Sequence, residues 1–217
     1  LLIEPGDTYN QYLVNRSITN LEKFSYIKNV KIENNLQNNT TLDLTIDESK
    51  KTGNVLFAGT FNTDTQFGLT FGIEDKNFFG SGNIVDANFD INSENLRFNI
   101  NYTEFPLSNP YLSNTYTIFN QENDLESSFG YSQSKKGLGY KVNFSQNDQL
   151  NLGFGFSFIN AKGHSPQNSS ITAITDNIGT FNNINFTLNA INDKTDNVIN
   201  PSDGHYNSLT FILSPSG

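Results

Sequence analysis

Side chains that can carry reaction chemistry are few in this chain, and their spacing argues against an enzyme. There is no Cys among the 217 residues, so there is no thiolate nucleophile, disulfide framework or thiolate metal site. The two histidines, His164 and His205, fall in stretches that read as long loops, with no paired nucleophile signature. A barrel enzyme of the lipase or protease kind would need Ser/His/Asp or Asp/His geometry on a rim. Solvated loop histidines are the simpler reading. Asp193-Lys194-Thr195-Asp196-Asn197 offers carboxylates but lacks the Gly and terminal Glu of an EF-hand loop, so it reads as a turn. Gly137-x-Gly139 and Gly153-x-Gly155 fall inside strands rather than phosphate loops, where small residues leave space on one face. Sequons such as Asn101-Tyr102-Thr103 follow from the Asn-rich composition, and Lys135-Lys136 reads as a solvated rim. No catalytic residue, cofactor or metal is expected.

What the residues do form is a repeated surface. From Thr52 onward, short runs alternate strictly between apolar and small polar residues, separated by Asn-, Asp- and Gly-rich breaks. In Leu150-Asn151-Leu152-Gly153-Phe154-Gly155-Phe156-Ser157-Phe158 the Leu and Phe residues share one face, and Asn151, Gly153, Gly155 and Ser157 share the other. A soluble sandwich would bury the apolar face under a second layer. A transmembrane barrel would turn it to lipid and keep a polar interior. Hydrophobic residues make up only 35% of the chain, which suits a one-layer wall better than a packed two-layer core. A net charge of -9 excludes a polyanion binder, so no nucleic-acid partner is expected. No apolar run is long enough for a transmembrane helix.

Residues 1–50 differ from the rest. Asp7-Thr8 resembles an N-cap, and Val14, Ile18, Leu21 and Phe24 follow at helical spacing, with Leu13 widening the stripe. Tyr26 to Ile32 alternates as a strand, an Asn-rich turn spans Asn34 to Asn39, and Leu42 to Glu48 alternates again. The order is helix, strand, turn, strand, and the chain reads as an internal piece of a longer protein.

After a junction at Lys50-Lys51-Thr52-Gly53, alternation and turn signals predict about nine strands. The first runs from Asn54 to Asn62. The next three carry Phe67, Leu69, Phe71 and Ile73; Val85, Ala87, Phe89 and Ile91; and Leu96, Phe98, Ile100 and Tyr102 on their apolar faces. A fifth lies near Thr115 to Gln121, and Tyr140, Val142 and Phe144 mark the sixth. Leu150 to Phe158 is the seventh. Ile184, Phe186, Leu188 and Ala190 mark the eighth, and Leu209, Phe211 and Leu213 the ninth. Tight breaks are expected at Asn62 to Thr65, Asn92 to Asn95 and Gln146 to Gln149. Longer ones are expected at Asn77 to Gly82, Phe105 to Asn114, Asp124 to Lys136, Lys162 to Thr180 and Lys194 to His205. Short turns on one rim and long loops on the other are an outer-membrane pattern.

Several of these residues resemble one family. Gly53 through Gly59, Gly68-Leu69-Thr70-Phe71-Gly72 and then Asn77-Phe78-Phe79-Gly80-Ser81-Gly82 resemble the opening of the barrel in the BamA family of outer-membrane assembly factors, whose first loop has the form N-[FWL]-x-G-[TS]-G. Asn109-Pro110-Tyr111 and Asn200-Pro201-Ser202-Asp203-Gly204 resemble two further family motifs. Glu4-Pro5-Gly6-Asp7-Thr8-Tyr9-Asn10 and Leu21 through Val30 resemble the second helix and following strand of the last POTRA repeat, with Ser25 where Gly is usual. The resemblance covers essentially the whole chain.

It implies a mainly β fold: an antiparallel transmembrane β-barrel, present as about nine N-terminal strands of about sixteen, preceded by a partial α+β POTRA domain. The domains would be 1–50 and 51–217. Lipid-facing residues would include Phe67, Leu69, Phe71, Phe89, Phe98, Leu152, Phe154 and Phe156. The implied activity is assembly and insertion of other outer-membrane barrels by strand pairing at Gly53, Asn54, Val55, Leu56, Phe57, Ala58, Gly59 and Thr60, and at the POTRA edges. Gly53 and Gly59 would weaken pairing and permit twist there, or merely turn a barrel corner. Implied partners are nascent outer-membrane proteins, assembly-complex lipoproteins and outer-membrane lipid, with the POTRA part in the periplasm. Two alternatives keep their place: a two-partner secretion or TamA-like pore of the same fold, and a soluble Asn-rich β-sandwich adhesin.

Overall fold

A computed structural model describes residues 3, 6–22, 24, 26–35, 41–63, 66–106, 109, 111–126, 130–145, 149–165, 178–195 and 202–215. Expectations that fall on Glu4, Pro5, Ser25, Asp64, Thr65, Pro110, Asp196, Asn197, Asn200 and Pro201 lie outside those residues, as does most of the Asn34 to Asn39 turn. The chain divides into two compact units: Leu1–Gly53 with Asp75–Gly82, and Asn54–Glu74 with Asn83–Gly217.

The first unit is built on α1 (Gln11–Glu22) and a hairpin of β1 (Ile27–Asn35) and β2 (Thr41–Glu48). The cap is Asn10, not Asp7-Thr8. Its Oδ1 accepts from the backbone N–H of Tyr12 at 2.9 Å and of Leu13 at 3.4 Å, the second and third helical residues. An N-cap oxygen must reach those two amides, and Asp7 stands three residues too early to do so. Val14 is 3% and Ser17 2% exposed on the inner face of α1, and Val30 is 5% exposed on β1, against which the helix packs. Ile18 and Leu21 continue that face, whereas Phe24 lies beyond the last helical residue. The hairpin pairs Val30 with Ile46 and Ile32 with Leu44, so one side is apolar, while Lys31, Glu33, Asp43 and Thr45 take the other.

The second unit is dominated by one nine-stranded antiparallel sheet with strands in chain order. These are β3 (Gly53–Asn62), β4 (Gln66–Asp75), β5 (Ile84–Ile91), β6 (Asn95–Glu104), β7 (Leu112–Leu125), β8 (Tyr131–Ser145), β9 (Leu150–His164), β10 (Gly179–Asp193) and β11 (Tyr206–Leu213). Among the described residues, the sheet contributes no buried apolar side chain; Val14 and Val30, both in the first unit, are the only ones. Leu152, Phe154, Phe156 and Phe158 are exposed, and the glycines between them are covered by polar neighbours. The sandwich reading is overturned here, because among the described residues no second layer covers the rings.

Strand lengths correct one expectation. Leu125 pairs with Tyr131, Asn123 with Gln133 and Gln121 with Lys135, so most of the stretch read as a loop from Asp124 to Lys136 is ladder. Antiparallel strands run in opposite directions, so connections alternate between rims. One rim carries 63–65, 92–94, 126–130 and 165–178, and the other 76–83, 105–111, 146–149 and 194–205. Short and long connections occur on both rims, so their length does not mark a side. The Asp124 to Lys136 connection is shorter than expected because β7 and β8 extend past their apolar stretch with residues polar on both faces, such as Ser132-Gln133-Ser134-Lys135-Lys136. Backbone pairing continues there without the alternation that reveals it.

Register aligns the apolar face across strands. Val85, Tyr102, Tyr116, Tyr140, Phe156, Phe186 and Leu213 form one row, with ring centroids 6.3 Å apart for Tyr102–Tyr116, 5.2 Å for Tyr116–Tyr140 and 5.8 Å for Tyr140–Phe156. The apolar band steps along the strands. On β6 it runs from Leu96 to Tyr102, whereas on β8 and β9 the residues registered with Leu96 and Phe98 are Ser134, Lys136, Lys162 and Asn160. A flat band crossing tilted strands gives that drift.

On the opposite face, Gly137 sits beneath Phe119, and a Cβ there would meet the Phe119 ring at 2.8 Å and also the Phe158 carbonyl. Gly139 meets nothing nearer than 3.5 Å. Gly137→Ala should therefore destabilise the sheet by about 1–3 kcal/mol and Gly139→Ala by far less. Urea titration of the full-length protein in detergent, followed by circular dichroism, measures the difference; equal midpoints would refute it.

Candidate strand-pairing site

The strand that the sequence singles out, Gly53 to Thr60, occupies β3, an edge of the sheet. β3 has β4 on one side, and no described strand pairs with its other side. An edge offers a row of backbone N–H and C=O groups to an incoming strand. Its side chains are correspondingly open: Val55 is 70%, Phe57 71% and Phe61 77% exposed.

Neighbours on β4 show which way each residue points. Asn54 donates through Nδ2 to the Glu74 carboxylate at 3.3 Å. A Cβ on Gly72 would lie 3.4 Å from Leu56, and one on Gly68 would lie 2.7 Å from the Thr60 hydroxyl. Asn54, Leu56 and Thr60 thus share the polar face with Gly68 and Gly72. Val55, Phe57, Gly59 and Phe61 take the apolar face, where a Cβ on Gly59 would lie 3.8 Å from the Phe67 ring. The two β4 glycines have a packing reason, because Thr60 and Leu56 lie across them. Gly59 has room for a side chain. Leu56 was not anticipated as an apolar residue on the polar face; its only signal is the unbroken run Val55-Leu56-Phe57-Ala58, apolar at consecutive positions.

Of the eight residues expected to face lipid, Leu152, Phe154 and Phe156 stand on the apolar face of β9, and Phe89 and Phe98 are cross-strand partners 6.1 Å apart. Phe71 lies 6.3 Å from Phe89, and Phe67 and Leu69 share its side of β4. The polar face is a hydrogen-bonded lattice. Thr117 donates to Asn101 Oδ1 (2.8 Å), Asn101 and Asn88 donate to Asp86 (3.4 and 2.9 Å), and Thr70 donates to Asp90 (2.6 Å). Arg97 donates to Asn95 and Asn123 at 2.9 and 3.0 Å.

Asn77 to Gly82 forms the β4–β5 connection, after the second strand of the sheet, where the sequence motif places it, on the rim where β3 begins. The motif closes on itself. Asn77 Oδ1 accepts from Gly82 N at 2.7 Å, Gly80 N donates to Asn77 O at 2.8 Å, and Ser81 Oγ donates to Phe78 O at 2.6 Å. Gly80 and Gly82 hold φ near +73° and +75°, which glycine alone adopts freely. Phe79 also takes a positive φ and is 92% exposed, packed on Phe78 at 4.3 Å.

The histidines do not meet: His164 ends β9 on one rim, and His205 precedes β11 on the other. Asp193 accepts from the backbone and hydroxyl of Thr195 at 3.0 and 2.6 Å, which is a turn. Asp203 caps Gly204 N at 2.8 Å in the second motif of the resemblance.

The chain is similar in fold to BamA from Haemophilus ducreyi lacking POTRA domains 1-3, with a TM-score of 0.70 and 17% identity over 99% of this chain. It is also similar to CdiB from Acinetobacter baumannii, with a TM-score of 0.57 and 14% identity over 98% of it. The chain spans 44% and 42% of the length of those two structures. No curated protein matches it. The Omp85 superfamily domain matches residues 77–215, nearly two thirds of the sequence, and the chain belongs to the Omp85 superfamily.

Proposed function

We propose that the chain is part of an outer-membrane barrel that assembles and inserts other β-barrel proteins, with β3 as the strand on which an incoming chain pairs. The observation that carries this reading is that no described strand pairs with the outer side of β3, whose sheet buries no apolar side chain among the described residues. An extended segment that adds to such an edge satisfies its own backbone groups before it meets lipid, where each unpaired group costs several kcal/mol. The Phe-bearing face would lie in the hydrocarbon, with the Tyr102–Tyr116–Tyr140 row as part of that surface, and the Asn- and Thr-rich face would line the interior. The helix–hairpin unit is read as part of a POTRA repeat in the periplasm. There the edges of β1 and β2 would take nascent outer-membrane proteins or lipoprotein partners.

A second reading has its own support. Gly137, Gly139, Gly153 and Gly155 keep the polar face low, as a conduit for one passing polypeptide would need, so a two-partner secretion or TamA-like pore stands as the alternative. The number of upstream POTRA repeats separates them: two suggests secretion and about five assembly.

A disulfide tying β3 to the final strand of the full-length barrel should abolish insertion of client barrels into proteoliposomes, and reduction should restore it. Insertion unchanged by the lock would sink the pairing reading. Export of a single partner polypeptide with no insertion would favour the pore.

Lipid exposure has a separate test. Phe156→Lys should destabilise the protein in bilayers by about 2–4 kcal/mol, whereas Ser157→Lys on the interior face should cost much less. Equal unfolding free energies for the two variants would overturn the assignment of faces.

A further inference from the structure

Within the first unit, one contact joins residues that are far apart in sequence. Tyr26 stands immediately before β1, and its carbonyl accepts from Ser49 N at 2.6 Å. Its ring lies 5.6 Å from that of Phe24. The phenol sits over Gly82: a Cβ on that glycine would be 2.9 Å from the hydroxyl oxygen and 3.6 Å from Cζ. Partial burial, reinforced by the Glu48 carboxylate, pushes the phenol pKa up. Gly82 is itself held, with its N–H on Asn77 Oδ1. In the same connection, Lys76 N donates at 3.1 Å to the carbonyl of Thr52, the residue before β3 begins.

Two glycines in this turn separate two causes. Gly80 and Gly82 share the same left-handed backbone, yet a Cβ on Gly80 would meet nothing within 4 Å. Backbone conformation accounts for Gly80. Gly82 carries the additional demand that Tyr26 lie against it.

We propose that Tyr26 seated on Gly82 is a clasp that fixes the Asn77–Gly82 turn, and through the Lys76–Thr52 bond the base of β3. Tyr26 and Gly82 are then positioning residues for the pairing edge. The clasp itself stands on geometry alone; its consequence for pairing rests on the function proposed above.

The test uses the full-length protein in lipid nanodiscs, with amide hydrogen exchange read over 49–53 and 76–82. Tyr26→Ala and Gly82→Ala should each accelerate exchange in both segments about tenfold. Over 49–53 the double variant should exchange no faster than Tyr26→Ala alone, because the clash has gone with the ring, while over 76–82 it should add only the backbone strain that Gly80→Ala also shows. Gly80→Ala, which bears the backbone strain without the clash, should perturb 76–82 only. Tyr26→Phe should behave as wild type, since the ring does the seating. The clasp is overturned if Tyr26→Ala leaves 49–53 unchanged, or if Gly82→Ala costs as much without the ring as with it.

A second readout is disulfide capture of an incoming client strand by Val55→Cys on β3. Tyr26→Ala should lower its yield several-fold, with Tyr26→Phe restoring it. Altered exchange with unaltered capture upholds the clasp and overturns its role in positioning. No capture even with Tyr26 intact overturns the function reading and the positioning role with it, and leaves the clasp to the exchange data.

Discussion

Backbone pairing is the constraint on which this protein rests. A sheet that, among the described residues, buries no apolar side chain gains little from an interior, so it is held together by the ladder from β3 to β11 and by side-chain contacts along each row. In hydrocarbon that ladder is obligatory, because an unpaired N–H or C=O has no water to turn to. The same demand gives an edge strand its chemistry. An unsatisfied row of donors and acceptors is a binding site for any chain able to present the complementary row, and it is selective for extended backbone rather than for sequence.

That constraint also explains the polar face. Several charged residues there are tied into amides and hydroxyls, as Asp86 is to Asn88 and Asn101 and Asp90 is to Thr70. Each bond is modest, about 0.5–1.5 kcal/mol net, but a lattice of short side chains also keeps the face shallow. Glycines extend the effect where a neighbour must lie flat, as Phe119 does on Gly137 and Thr60 on Gly68. Alternation thus carries two separate requirements, an apolar face on one side of the sheet and a low, hydrogen-bonded face on the other.

Much of this was legible before any coordinates. The nine strands were found because period-two alternation is forced by strand geometry whenever the two faces meet different surroundings. β3, β4, β5 and β6 came out within a residue or two at either end. The ends of β7, β8 and β9 did not, since Gln133 and Lys135 pair as fully as Phe144 does but present polar groups on both faces. The rim pattern does not hold by alternation or by pairing, because the short 146–149 connection shares its rim with 194–205 and the long 165–178 connection shares its rim with 63–65. The helix cap was misplaced because Asp7-Thr8 has the right chemistry, but only Asn10 stands at the position from which an oxygen reaches Tyr12 and Leu13.

The candidate site was legible in part, and its limits are instructive. The run Asn77 to Gly82 was recognisable from its residues, and the backbone gives two of its glycines a reason that one strand of sequence can suggest. What sequence could not supply is the partner of Gly82. Tyr26 lies 56 positions earlier, in a segment that reads as the start of a strand, and nothing in its local pattern distinguishes it from Phe24. A turn glycine is ordinarily read from φ alone, yet here open space above Gly80 and a phenol above Gly82 give neighbouring residues of the same type different duties. Long-range contacts of this kind leave no periodic trace, and so the physics that makes strands easy to read is silent on what holds their ends in place.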